Sequence, residues 1–306
     1  MRKDIWFLIV NPTSGSFSRK RKWKQITTTF EANKLPFKAE FTTKPQHEYE
    51  IVIEALEKGY RKFVSVGGDG TLHHIVNGLM QQQIVSRDEI KLAVIPLGTG
   101  NDWVKTYQIP KNITKAVEII KTEHTILQDI GKLTLLNEQK TVYFNNVAGL
   151  GFDGYVVKRN ERLKFLGPIS FLVSTVLGLI NYRLSEFTVK SKEKQITSKS
   201  LLTIVGICQY SGGGMQLTKD VDPQDGLFDV SMAKKFTFWS LVKNVSSLFN
   251  GTIVHHQQVE TFKTDVVTIT TSQENIYIQA DGELVGTSGF TGEIVPKALN
   301  FVVLKL

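Results

Sequence analysis

Apolar and polar positions along the first 130 residues follow two alternating periods. "IWFLIVN", residues 5–11, is a continuous apolar run, as in a strand buried on both faces. "PFKAEFTT", residues 36–43, alternates and reads as a second strand. "HEYEIVIEALEKGY" places Ile51, Val52, Ala55 and Leu56 on one helical stripe. "KFVSV" is a third strand, after which Leu72, Ile75, Val76, Leu79 and Met80 recur at helical spacing. "KLAVIPLG" is a fourth strand, and "NDWVKTY" opens a short helix. Strands alternating with helices predict right-handed crossovers and a largely parallel sheet.

Beyond residue 130 the pattern changes. "VYFNNVAGLG", "FTVKS", "LLTIVGICQY", "LFDVSMA", "DVVTITTS", "NIYIQADGE" and "ALNFVVLKL" are short, β-branched or aromatic, and separated by turn residues. They predict a mainly antiparallel β domain. Two helical stretches interrupt it. One is the apolar run 163–180, read as a buried helix because Lys164 and Gly167-Pro168 break the start of any membrane span. The other is 237–249, where Phe238, Leu241, Val242, Val245, Leu248 and Phe249 form one face, closed by Gly251.

Composition narrows the class. Of 306 residues, 41% are hydrophobic and 22% charged, the balance of an ordinary globular protein. Cys208 is the sole cysteine, so no intrachain disulfide forms, and a reducing, cytoplasmic setting is expected. Residues 5–10 are too short for a signal-peptide core and are stopped by Asn11-Pro12. The net charge of +8 favours anionic partners. The run "SRKRKWK", residues 18–24, is either a solvated helix face or a contact with anionic lipid. No zinc-finger or RRM pattern occurs, so nucleic acid is not expected.

Three strand ends carry the candidate chemistry. "VNPTSGSFS", "SVGGDGTLHH" and "IPLGTGNDW" are small, hydroxyl-rich turns following the first, third and fourth strands. Glycines let backbone N–H groups approach a phosphate, and a helix N-terminus adds donors and partial positive charge. In parallel sheets, ligands bind outside the carboxyl ends of the strands. Each turn alone is also a plain strand-to-helix connection, and neither a P-loop nor G-x-G-x-x-G is present. Asp69 stands out as an acid inside an anion-binding loop. His73-His74 and His255-His256 lack any zinc spacing and read as structural or surface residues, the first pair on the polar side of its helix.

"NPTSG", "GGDGT" and "PLGTGND", followed by "NNVAGLGFDG", "DPQDGLFDV" and "QADGE", resemble the diacylglycerol kinase catalytic domain family, in its soluble bacterial form. The resemblance implies an α/β nucleotide-binding domain with a parallel sheet, of the NAD kinase and phosphofructokinase type. It also implies a C-terminal β-sandwich and an active site in the cleft between the two. The implied boundaries are 1–130 with a returning segment 297–306, and 131–296. By matching motif, Asn11, Thr43, Gly67, Gly68, Asp69, Gly70, Thr71, Gly98, Thr99 and Asn101 would surround ATP. Asp281, with Glu283 beside it, would supply the general base, and Asp69 would join them in catalysis. Asp222, Asp225 and Leu227 would hold a structural Mg²⁺, Asp225 through its side chain and the others through the carbonyl of Leu227 and one near Asp222, with Asp129 linking it to the site. Without the resemblance, "ADGE" reads as a hairpin turn centred on Asp-Gly. Trp103 and Lys105 depart from the family's smaller, Arg-containing run.

The implied activity is transfer of the γ-phosphoryl group of ATP to a diacylglycerol hydroxyl, with the enzyme meeting the membrane peripherally. A kinase for a soluble acceptor such as NAD and a non-catalytic nucleotide sensor remain open, as does a homodimer.

Overall fold

A computed structural model describes residues 2–15, 19–163, 173–175, 177–178, 182–236, 240 and 243–305. The chain divides into two compact units, one running to Gln128 and resuming at Lys297, the other Asp129–Pro296.

The first unit opens with β1 (Trp6–Val10), α1 (Arg19–Ala32), β2 (Phe37–Phe41), α2 (Glu48–Glu57) and β3 (Lys62–Gly67). α3 (Asp69–Gln81), β4 (Lys91–Pro96), α4 (Asp102–Thr106) and α5 (Ile113–Thr122) follow. β1 pairs in parallel with β2 and β3, and β3 with β4. The continuous apolar runs explain this arrangement. Every residue of β1 is buried, as is most of β3 and β4, because helices cover both faces of a parallel sheet. α2 packs on α3 and α1 on α5. α5 was not legible as a helix in the pattern, although Asn112 caps it by accepting from the Lys115 amide at 3.0 Å.

The second unit is antiparallel. It contains β5 (Thr125–Leu135, from Asp129 on), β6 (Thr141–Phe144), β7 (Val147–Gly151), α6 (Phe152–Leu163), β8 (Ser185–Ser191), β9 (Gln195–Ser200) and β10 (Leu202–Gly206). Then come β11 (Tyr210–Ser211), β12 (Met215–Gln216), β13 (Phe228–Ala233), α7 (Val245–Asn250), β14 (Val259–Thr264), β15 (Val266–Thr271), β16 (Tyr277–Ala280), β17 (Glu283–Thr287) and β18 (Gly289–Val302). One sheet runs β14-β13-β10-β7-β16-β17. Elsewhere β15 pairs with β8 and with residues 289–293 of β18, and β8 pairs with β9. This is the sandwich, with Phe144 stacked on Phe228 in its interior at 5.7 Å. Residues 297–302 of β18 belong to the first unit, where Asn300 and Phe301 pair in parallel with Lys91 and Leu92 of β4.

Most of the apolar stretch 163–180 lies outside the described residues, as do five positions of the 237–249 helix, 237–239 and 241–242. Of the described part of that helix, Leu248 packs on the core of Phe152, Val156, Leu201, Phe236, Ile253 and Val254. Val245 and Phe249 remain about half exposed. Gly251 closes α7 with φ +77°, the left-handed conformation expected of a helix-terminating glycine. Among the described residues no helix is long and apolar enough to cross a membrane.

Candidate active site

In the first unit the turns after β1, β3 and β4 lock together. The Asn11 side chain donates Nδ2–H to Thr71 Oγ1 at 3.1 Å, tying the first turn to the head of α3. Asn11 Oδ1 accepts from the Thr13 amide and hydroxyl at 3.0 and 2.8 Å, fixing its own turn. The Gly67 carbonyl accepts the amides of Leu97 and Gly98 at 2.7 and 3.1 Å, joining the second turn to the third. Gly68 and Gly98 then approach so closely that a Cβ on Gly98 would lie 2.5 Å from the Gly68 Cα. Only glycine fits at position 98, while a Cβ on Gly68 would sit at a tight 3.1 Å from the Gly98 Cα. α3 begins at Asp69 with Gly68 as its N-cap, and Gly68 has no side chain to cap it. The result is a bed of backbone amides and the Thr71 hydroxyl at the carboxyl edge of a parallel sheet, suited to phosphate.

Asp69 braces this bed. Its Oδ1 accepts the amides of Asp102 at 2.9 Å and Trp103 at 3.3 Å, the first two residues of α4. The N-cap of α4, Asn101, has φ +49° and makes no side-chain cap of its own, and its Nδ2 donates to the Gly98 carbonyl at 2.6 Å. An acid from the second turn therefore caps the helix of the third, where a negative charge also meets the favourable end of the helix dipole. Trp103, which departs from the family pattern, is core: it packs on Phe301 and Tyr107 and donates Nε1–H to Gln128 at 2.9 Å. Lys105 pairs with Asp102 at 2.6 Å.

Other residues fall elsewhere. Thr99 is exposed in the third turn. Thr43 is exposed beyond β2, its amide donating to His47 Nδ1 at 3.2 Å, and it makes none of these contacts with the three interlocked turns. His73 does not lie on a polar helix face. It is buried, at 3% exposure, and contacts Asn77, because α3 is covered by α2 as well as by the sheet. A cavity of about 400 Å³ lined by Gln108, Pro110, Ile119 and Leu304 shares no residue with the turns.

In the second unit Asp281 and Gly282 join β16 to β17 with φ +53° and +83°, the geometry of the tight hairpin turn that Asp-Gly favours. Asp281 is also buried, and the amides of Asn145 and Asn146 donate to its two oxygens at 3.1 and 2.9 Å. The turn thus presents a carboxylate in one fixed orientation, with Glu283 opening the next strand. Beneath it, Gln279 accepts the Gly282 amide at 2.9 Å and donates Nε2–H to Asp153 at 3.0 Å. Asp153, at the head of α6, was not singled out from the sequence. Burial pushes its carboxyl up to about 6, against the Gln279 bond and nearby amides that pull it down.

The segment expected to hold Mg²⁺ is already engaged. Asp222 Oδ1 accepts the Gln224 amide at 3.0 Å, and Asp225 Oδ1 accepts the Leu227 amide at 2.9 Å. Asp225 Oδ2 receives Lys263 Nζ at 2.7 Å. Asp129 Oδ2 accepts the Gly226 amide at 2.7 Å, so it does reach the segment. Asp229 is pushed up to about 7, chiefly by burial, with Lys263 opposing and Asp225 adding to the rise. Among the described residues no three acidic, imidazole or thiol groups are arranged to hold an ion.

Sequence models of known families match both units. Residues 5–133 match the diacylglycerol kinase catalytic domain. Residues 146–303, more than half of the chain, match the YegS C-terminal NAD kinase beta sandwich-like domain. The chain belongs to the diacylglycerol kinase catalytic-domain family. Within this family, the candidate lipid kinase YtlR of Bacillus subtilis (strain 168) is 27% identical, with 96% of this chain and 98% of that protein covered. The diacylglycerol kinase of Staphylococcus carnosus (strain TM300) is 28% identical over 91% of this chain and 88% of its own. A crystal structure of a candidate diacylglycerol kinase from Bacillus anthracis str. Sterne superimposes with a TM-score of 0.80 at 22% identity, covering 99% of this chain and 98% of that one. That likeness supports the fold alone. Membership of the diacylglycerol kinase family makes the protein a phosphotransferase of the lipid kinase type, and kinase membership implies ATP as the donor.

Proposed function

We propose that the protein transfers the γ-phosphoryl group of ATP to the hydroxyl of diacylglycerol, giving phosphatidic acid. The observation that carries the reading is the interlocked bed of amides at Gly67–Thr71 and Gly98–Asn101, in a chain whose relatives are named for lipid and diacylglycerol kinases. Phosphoryl transfer has little covalent chemistry for the protein to perform, and it needs charge neutralised and two oxygens held in line. In this reading the backbone amides and Thr71 take the nucleotide phosphates, and Asp69 keeps the bed rigid. Asp281, oriented by two amides, takes the proton from the acceptor hydroxyl, and Glu283 assists it. A divalent ion accompanying ATP would supply further positive charge.

An apolar acceptor must be reached in a bilayer. The half-exposed Val245 and Phe249 and the exposed cations Arg21 and Lys24 suit peripheral contact with anionic lipid. Each cation near such a surface contributes on the order of 1 kcal/mol. Arg19 and Lys20 of the basic run have side chains outside the described set, and Trp23 is packed edge-on against Phe37 and Phe41.

The test is a radiolabelled ATP assay against vesicles carrying diacylglycerol and other hydroxyl lipids, with NAD as a soluble acceptor. Labelled phosphatidic acid, reduced about 10²- to 10⁴-fold by Asp281→Asn, is the expected result. Phosphorylation of NAD alone would make it a soluble-acceptor kinase, and ATP binding without any product would make it a sensor. Full activity in Asp281→Asn would remove the base assignment while leaving the activity itself standing.

A further inference from the structure

The turn at 220–229 gathers negative charge, and the register of two strands decides what answers it. β13 and β14 are antiparallel with Asp229 directly opposite Lys263. From that position the lysine reaches back over the turn preceding β13. Its Nζ donates to the Asp220 carbonyl at 2.8 Å and to Asp225 Oδ2 at 2.7 Å, and lies 3.6 Å from Asp229 Oδ2. One ammonium therefore meets a carbonyl and a carboxylate of the turn and a second carboxylate at the start of β13, as a coordinated ion would. Asp225 Oδ1 is taken by the Leu227 amide, so both oxygens of this side chain are engaged, and Asp222 Oδ1 accepts the Gln224 amide. Mg²⁺ demands near-octahedral oxygen ligands and gives up its water reluctantly. Placed on Asp225, it would have to displace Lys263 or sit beside a positive charge. The residues present do not fit the Mg²⁺ that the family resemblance implies at Asp222, Asp225 and Leu227.

We propose that the Lys263 ammonium is the resident cation of the 220–229 turn, so that this segment is held together without a divalent ion. Its role is distinct from that of any metal bound with ATP.

Two nucleotide-free measurements test this. Mn²⁺ titration of the wild-type protein, followed by electron paramagnetic resonance, is expected to show no saturable site. Thermal unfolding of the wild type is expected to be the same in EDTA and in millimolar Mg²⁺. In EDTA, Lys263→Met should unfold on the order of 5 °C lower, because it strands carboxylates that had a partner. Mg²⁺ should restore part of that loss once the lysine is gone. A saturable Mn²⁺ site in the wild type that Asp225→Asn abolishes would overturn the proposal. So would a Lys263→Met protein as stable as the wild type in EDTA. The wild-type titration stands on its own if the variant does not fold.

Discussion

Asp153 offers a quantitative probe of the second unit. The residue is partly exposed, but its Oδ1 is shut off from water and its Oδ2 is taken by Gln279. Burial raises its carboxyl from 3.8 to about 6. The sign follows from linkage: below about 4 the carboxyl is protonated in the folded and unfolded chain alike and costs nothing. Between about 4 and 6 only the folded chain retains the proton, so stability falls as pH rises. Above about 6 the full cost of the buried charge is present. A shift of about 2 units corresponds to about 3 kcal/mol as a ceiling. Asp153→Asn keeps an oxygen to accept from Gln279 and removes the charge. It should leave the unfolding midpoint unchanged near pH 4 and raise it at pH 8. At 2–4 °C per kcal/mol for a unit of this size, the rise is roughly 6–12 °C at most. The assay is thermal unfolding of wild type and variant across pH 4 to 8. A difference that is constant with pH, or an Asn variant less stable at pH 8, would refute the reasoning.

Asp69→Ala should cost about 1–2 kcal/mol in denaturant unfolding, the usual loss of a helix cap, while Asp69→Asn, which keeps an oxygen for the Asp102 and Trp103 amides, should lose much less. If Asp69→Asn is as destabilised as Asp69→Ala, the bracing role is wrong. Gly98→Ala forces a Cβ to 2.5 Å from the Gly68 Cα and 2.8 Å from Asn101 Oδ1, so the turns must part. ATP affinity measured by calorimetry should fall at least tenfold, and unchanged affinity would separate these turns from the nucleotide.

Alternation and spacing made the four strands of the first unit and their parallel pairing legible, because a strand covered on both faces must be apolar throughout and its neighbours must cross over through helices. Gly-rich turns at strand ends were visible for the same reason: the residue types needed for φ > 0 and close approach are few. α5, α6 and β17 escaped notice, since their apolar positions are short or interrupted. The parallel partner of the last strand was likewise not readable from pattern, because β4 lies some 200 residues earlier in the chain.

The sequence by itself therefore determined most of the first unit's elements, the position of its glycine-rich turns and the family. Periodicity and glycine placement are local properties that a short window records. Only the tertiary structure decided what the charged groups do. Asp69 caps a helix 33 residues away, Asp281 is oriented by amides about 136 residues away, and Lys263 answers a turn 38 residues before it. Those pairings depend on strand register and on which turns meet at a sheet edge. A charge gains its partner, or loses its water, only when the chain has closed around it.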